Sequence, residues 1–209
     1  MKLACNLCFS VMLACSALAK DRPNIVFILA DDLGYGDLSC YGQKQFTTPN
    51  IDRLAAEGMK FTAHYSGHNV CAPSRCALMT GKHPGHGYIR ENRGGLGPEG
   101  EGQEPVPAGE LKLPLTLKQL GYTLGGFGKW GLGAVGTSGD PLQQGFDTFY
   151  GYNCQAVAHN YYPTHLWSNS THVALNNPKF VAHQKLPAGC GHRTPPPATR
   201  DSAVNDYAP

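Results

Sequence analysis

The residues best suited to chemistry lie in Val70-Cys71-Ala72-Pro73-Ser74-Arg75-Cys76-Ala77-Leu78-Met79-Thr80-Gly81-Lys82. Pro73 has a fixed φ and no N–H, so it fits the first turn of a helix, and Leu78 with Met79 gives that helix an apolar side. Cys71 then falls at the helix N-terminus, where backbone N–H groups and the positive end of the dipole favour an anion. Arg75, one turn on, offers a planar fork for oxyanion atoms. The spacing marks Cys71 as the candidate nucleophile; the alternative for a cysteine taken by itself is a small buried hydrophobe or a disulfide partner.

A second constellation is Asn24-Ile25-Val26-Phe27-Ile28-Leu29-Ala30, an apolar run of strand length ending in Asp31-Asp32. It reads as a buried parallel strand, and two carboxylates at its C-terminal end stand where α/β sheets place ligands and offer hard oxygen donors to a divalent cation. A helix N-terminal Asp cluster or a solvated turn is the competing reading, given Gly34 and Gly36 just beyond. The third is Gly126-Phe127-Gly128-Lys129-Trp130-Gly131, which fits G-x-G-x-x-G in form. The glycine-rich continuation from Leu132 to Gly139 cannot open the required helix, and Trp130 replaces the Ser or Thr of a phosphate-binding loop, so a nucleotide site is unsupported.

These groups need a layered scaffold, and the chain alternates helical and strand signals accordingly. Thr48 to Gly58 reads as a short helix with Thr48 as N-cap, Pro49 at the first position, Ile51, Leu54 and Ala55 on one face and Gly58 at the end. Met59 to Ala63 alternates as a strand. Leu113 to Leu120 reads as a helix closed by Gly121, followed by a strand over Tyr122 to Phe127. Gly94 to Gly109, rich in Gly, Pro and Glu, reads as a surface loop near the site entrance. The fold class expected is α/β, without internal repeats.

The three constellations together resemble the type I, formylglycine-dependent sulfatases. The cysteine segment is similar to that family's C-x-P-S-R-x-x-L-x-T-G-R signature, with Lys82 where the family usually has Arg; Arg22 to Asp37 is similar to its opening strand; and Gly128-Lys129-Trp130-Gly131-Leu132-Gly133 is similar to its G-K-W-H-L-G motif. The resemblance implies an alkaline-phosphatase-like mixed or parallel sheet flanked by helices, with residues 20–209 as the N-terminal portion of the catalytic domain. It implies that Cys71 is oxidised to Cα-formylglycine by a maturation enzyme. One oxygen of the hydrated aldehyde attacks sulfur, the ester alcohol leaves, and the second hydroxyl expels sulfate. Asp31, Asp32 and the modified Cys71 are implied calcium ligands, Arg75 steadies the nucleophile loop, and Lys129 contacts sulfate and neutralises the oxyanion.

Gly131 departs from the pattern, because the family commonly carries His there. Gly145-Phe146-Asp147-Thr148-Phe149-Tyr150-Gly151-Tyr152 and Ala158-His159-Asn160-Tyr161-Tyr162-Pro163 are similar to a subgroup that shares G-K-W-G-L-G. His159, set among aromatics, is therefore a candidate to replace the imidazole as a substrate or leaving-group contact. His86 and Arg90 are candidates for the pocket wall or simply loop surface.

Composition agrees with an exported enzyme. Residues 1–19 have a sparse basic start at Lys2, an apolar body from Leu7 to Leu18 and Ala17-Leu18-Ala19 as a cleavage site, the pattern of a secretory signal. A lipobox-like Met12-Leu13-Ala14-Cys15 would instead leave Cys15 as a lipid anchor. Secreted or periplasmic localisation follows, with no spanning segment later in the chain. Of eight cysteines, Cys40, Cys71, Cys76, Cys154 and Cys190 remain after the signal. If Cys71 is converted, an even number is left, compatible with two disulfides. The formal net charge of +2 is spread without a basic block, so nucleic-acid binding has no support. Past Val181 the patterning fades. The second half of the implied metal site and a further His and Lys have no counterpart here, and a sheet short of strands is expected to fold poorly alone and to hold calcium weakly.

The expected activity is hydrolysis of a sulfate monoester, aryl or carbohydrate, with a sulfated small molecule or glycan as partner. Two alternatives stay open: a phosphonate or phosphodiester hydrolase using the same nucleophile motif, and an exported, non-catalytic protein that binds sulfated glycans with Cys71 left as a thiol.

Overall fold

The computed structural model describes residues 22–94, 101–159 and 163–177. The signal-like residues 1–19 with Cys15, part of the loop at 94–109, Asn160 to Tyr162, Cys190 and the chain past Val181 lie outside the described residues. The described chain divides into two units, residues up to Lys60 and residues from Phe61 onward.

In the first unit, α1 spans Pro49–Glu57, as the proline and glycine signals require. Thr48 precedes it but makes no side-chain cap to the helix backbone. Its hydroxyl donates to Asp52 Oδ1 at 3.0 Å, while the Ser39 hydroxyl donates to Oδ2 at 2.6 Å. The Ser39 bond is the main reason that the Asp52 carboxyl is held below its ordinary range. Two 3-10 turns, Tyr35–Asp37 and Ser39–Tyr41, lead into this cluster.

The run at 24–30 corrects the sequence reading: it forms no strand, and Val26 and Ile28 are 85% and 83% exposed. Apolar length shows only that a segment suits a sheet interior, and a strand exists only when a neighbour completes its ladder. None among the described residues pairs with it. The strand expected over Met59 to Ala63 is absent for the same reason.

The second unit holds a mixed four-stranded sheet in the order β1-β2-β3-β4. β1 is Gly125–Lys129, β2 Thr148–Tyr152, β3 His165–Ser168 and β4 Thr171–Ala174. β1 and β2 run parallel with Lys129 opposite Tyr152, and β2/β3 and β3/β4 are antiparallel. Backbone bonds from Trp130 N–H to the Tyr152 carbonyl and from Gly131 N–H to the Asn153 carbonyl, 2.9 and 3.2 Å, carry the parallel ladder past the end of β1. The two chains approach most closely where Gly128 faces Gly151: a Cβ on Gly151 would stand 2.2 Å from the Gly128 carbonyl oxygen. That contact explains glycines inside strands that propensity alone disfavours.

Helices α2, Cys71–Thr80, and α3, Lys112–Gln119, pack on one another. α4, Gln155–Ala158, follows β2. The core joins Ala72 and Cys76 of α2 with Ile89, Val106, Leu111, Trp130, Leu132 and Phe149. Val106 is fully buried, and Gly102 and Gln103 are also buried. The segment 101–109 is therefore not the wholly exposed loop its Gly and Pro content suggests; Val106 packs into the core, and its N–H bonds the Leu132 carbonyl at 3.0 Å.

β1 begins under electrostatic control. Asp147 accepts from Lys118 Nζ on α3 and, at 2.8 Å, from the Leu124 N–H. These donors, Lys118 first, hold the Asp147 carboxyl below its ordinary value. A depressed carboxylate stabilises the fold above its unfolded pKa, and that contribution is lost as pH falls through the folded value. Asp147→Asn is expected to lower the melting temperature at pH 7 and to shrink the gap from wild type as the pH is taken below about 4, measured by thermal melts across pH.

Candidate active site

Cys71 opens α2 at its first helical position, preceded by Val70 in extended conformation. Pro73 lies in the same first turn, with no N–H to satisfy. The Ala72 N–H is taken by Asn92 Oδ1 at 3.1 Å, and the Ser74 N–H by the Val70 carbonyl at 3.1 Å. The helix end thus brings its dipole to Cys71, while its second and third positions are not open donors for an anion. Asn92 was not recognisable as a cap from sequence: it is a favoured capping type, but it acts from twenty residues downstream, beyond any local spacing rule.

Three of the sequence-predicted residues meet. Lys129 Nζ, at the C-terminal end of β1, points at Cys71 Sγ, 3.5 Å away, and lies 3.2 Å from His159 Nε2 just after α4. The Lys129 amine and the His159 ring nitrogen are thus within hydrogen-bond distance of each other. The arrangement directs one positive charge at the atom borne by Cβ of residue 71, with an imidazole beside it. It is suited to stabilising negative charge on a nucleophile or on an oxyanion bound there.

Arg75 acts behind this group. Its Nη1 donates to the Lys129 carbonyl, tying α2 to the end of β1 and fixing where the ammonium emerges. The next residue is locked as well: the Trp130 indole N–H donates to the Gly139 carbonyl at 2.8 Å, and its ring packs edge-on against Phe146 and Phe149 with centroids 5.5 and 6.2 Å away. Lys82 does not turn toward Cys71. It pairs with Glu110 at the surface. His86 and Arg90 are exposed, and Arg90 only bonds the Gly85 carbonyl, so the structure places both on loop surface.

Gly131 has a physical reason to lack a side chain. Its φ is +80°, and a Cβ there would meet Gln155 Oε1 at 2.9 Å. A side chain there needs the end of the Gln155 side chain to swing aside. Gly131→His is therefore expected to lower stability by about 1–2 kcal/mol, chiefly through left-handed backbone strain, and to leave turnover no higher, measured by denaturant unfolding alongside an aryl sulfate assay.

Asp31 and Asp32 belong to the first unit and are both exposed. Asp32 has φ 59°, in the left-handed region that Asp tolerates better than most residues. Two adjacent, accessible carboxylates are a donor set that fits a hard divalent cation. The G-x-G-x-x-G segment runs along β1 rather than opening a helix, in line with its exclusion as a dinucleotide loop.

A family model described as Sulfatase matches residues 23–188. Arylsulfatase H of Canis lupus familiaris is 39% identical over 175 residues, 75% of this chain and 31% of that protein. Human arylsulfatase A is 47% identical over 153 residues, 68% of this chain and 28% of the relative. N-acetylgalactosamine-6-sulfatase of Rattus norvegicus is 44% identical over 144 residues, 66% and 27% of the two chains. Among solved structures, the crystal structure of Ps i-CgsB aligns with a TM-score of 0.64 at 32% identity, covering 75% of this chain and 38% of that one. The chain spans 23–31% of the length of the curated relatives it matches.

Proposed function

The chain belongs to the sulfatase family, and on that premise we propose that it serves hydrolysis of organic sulfate monoesters, aryl or carbohydrate, to an alcohol and inorganic sulfate. The observation that carries the reading is the placement of Lys129 Nζ 3.5 Å from Cys71 Sγ and 3.2 Å from His159 Nε2. Residue 71, converted to Cα-formylglycine by a maturation enzyme, is the nucleophile. Lys129 binds the sulfate and stabilises charge developing on its oxygens, His159 touches the ester or the leaving alcohol, and Arg75 positions Lys129 through its carbonyl. Asp31 and Asp32 would hold a divalent cation, read as calcium, which when bound would supply Lewis-acid chemistry toward the sulfate.

The protein is read as exported, with residues 1–19 as a secretory leader. No helix among the described residues is long and apolar enough to cross a membrane.

The test is a pair of parallel assays with an aryl sulfate and an aryl phosphonate ester on protein produced together with a formylglycine-generating enzyme. Preferential turnover of the sulfate supports the reading. Preferential turnover of the phosphonate ester transfers the same nucleophile to the other hydrolase class, and tight binding of sulfated sugar without turnover of either ester points to a binding protein.

A further inference from the structure

The connection from β2 to α4 runs along the end of β1. The N–H groups of Trp130 and Gly131 donate to the carbonyls of Tyr152 and Asn153, so main-chain bonds hold residues 152 and 153 against 130 and 131. Gln155, the first residue of α4, is 3% exposed and fills the space beside Gly131: a Cβ built on that glycine would stand 3.6 Å from both Cβ and Cδ of Gln155. Gln155 Oε1 is buried and has no hydrogen-bond partner among the described residues. A buried carbonyl in that state costs stability, so its amide is not what recommends Gln155 at this position; its length is.

His159 stands four residues on. It continues α4 with helical dihedrals, φ −68° and ψ −9°. Residues four apart lie on one face of a helix, so Gln155 and His159 share the face that meets the end of β1, while Ala156 is exposed. A single turn of helix has too few internal hydrogen bonds to fix its own place, and its position is set by what it packs on. The 3.2 Å separation of His159 Nε2 from Lys129 Nζ therefore depends on how closely that turn sits against Gly131.

We propose that Gln155 is a positioning residue: by filling the space that Gly131 leaves open it seats α4, and so holds the His159 imidazole beside Lys129. Gly131 and Gln155 are two halves of one contact, and what matters at residue 155 is the reach of the side chain rather than its polarity. For its effect on turnover the inference rests on the reading of His159 as a contact to the ester or the leaving alcohol; for its effect on the geometry it does not.

Two substitutions separate reach from polarity. Gln155→Asn keeps the amide but is one methylene short, and Gln155→Met keeps the length without the amide. The imidazole Hε1 signals of the full chain, with Cys71 left as a thiol, are followed by NMR, and His159 is identified among the nine histidines by the signal lost in His159→Gln. Lys129→Ala removes the charge beside the ring and is expected to displace that signal in the wild type and in Gln155→Met. In Gln155→Asn the signal is expected to be displaced already and to respond to Lys129→Ala by less than half as much. On protein carrying formylglycine at residue 71, Gln155→Asn is expected to lower kcat for an aryl sulfate by about tenfold with KM little changed, Gln155→Met to restore most of that loss, and Gln155→Asn to add nothing in a His159→Ala background. The proposal is overturned if Lys129→Ala leaves the His159 signal in place in the wild type, if Gln155→Asn keeps the wild-type signal and response, if Gln155→Met behaves as Gln155→Asn does, or if the loss of kcat persists undiminished in the His159→Ala background. Collapse of the whole dispersed spectrum in Gln155→Asn makes the residue merely structural and overturns it equally. A chain that turns over no sulfate ester removes the proposed function, and the NMR response alone then decides the inference.

Discussion

Cys71→Ala is expected to lower turnover of an aryl sulfate by about 10⁵-fold, leaving a residue of catalysis that comes from the charges around the site rather than from a nucleophile. The size follows from the chemistry: without the side chain at residue 71 there is no group to become the aldehyde hydrate, and water must attack sulfur unaided. The fold should survive. Cys71 is half-buried at the first helical position, its sulfur is placed against Lys129, and α2 is anchored elsewhere, by Ala72 and Cys76 in the core. A melting curve on the same preparation therefore separates loss of the nucleophile from loss of the fold, with a stability change held within about 1 kcal/mol. Activity within tenfold of wild type would remove Cys71 from the reaction.

The second large effect falls on Lys129. Lys129→Ala is expected to reduce kcat by about 10²–10³, the loss that follows removal of one preorganised donor facing a developing oxyanion. Lys129→Arg should recover only part of it, because a planar guanidinium does not reproduce a point charge held 3.5 Å from Sγ and 3.2 Å from the His159 ring. Backbone geometry is unaffected by either change, since β1 is held through main-chain pairing with β2 and through the carbonyl that Arg75 grips. The measurement is steady-state kinetics on both variants. A fall in kcat with KM little changed identifies an interaction made in the transition state, and a rise in KM at constant kcat would reduce Lys129 to uniform sulfate binding.

Local signals in the sequence were enough for the two helices that matter most. α1 and α2 are announced by proline in the first turn and glycine after the last, and these act within a few residues. α3 appears within a residue of its expected place, at Lys112–Gln119. Strands were less legible because pairing is decided by chain distant in sequence. The apolar run at 24–30 resembles a strand more strongly than Gly125–Lys129 does, yet the glycine-rich segment is the one with a ladder, since Gly128 and Gly151 allow two backbones to approach. That pairing moves β1 three residues beyond the expected start at Tyr122 and places Lys129 at its end. The hairpin of β3 and β4 could have been read from His165-Leu-Trp-Ser-Asn-Ser-Thr-His-Val173, alternating residues around an Asn-Ser turn, with Asn169 at φ 53°.

Of the residues that meet around Lys129, Cys71 and Lys129 itself were legible as candidates because their motifs are extended. His159 was reached only as a candidate for a missing imidazole, and the structure places it beside Lys129. The supporting groups were not legible: Asn92 as the partner of the Ala72 N–H, Gln155 filling the space beside Gly131, and Glu110 drawing Lys82 to the surface all act across turns of chain that no motif spans. Their roles depend on packing, which local composition does not encode.

The most direct test of the central claim is the mass of the peptide containing residue 71, taken from protein produced with a formylglycine-generating enzyme and shown to hydrolyse an aryl sulfate. The account predicts an aldehyde or its hydrate in place of the thiol, trapped as a hydrazone by a hydrazine reagent. An unmodified cysteine in material that turns over sulfate esters would contradict it.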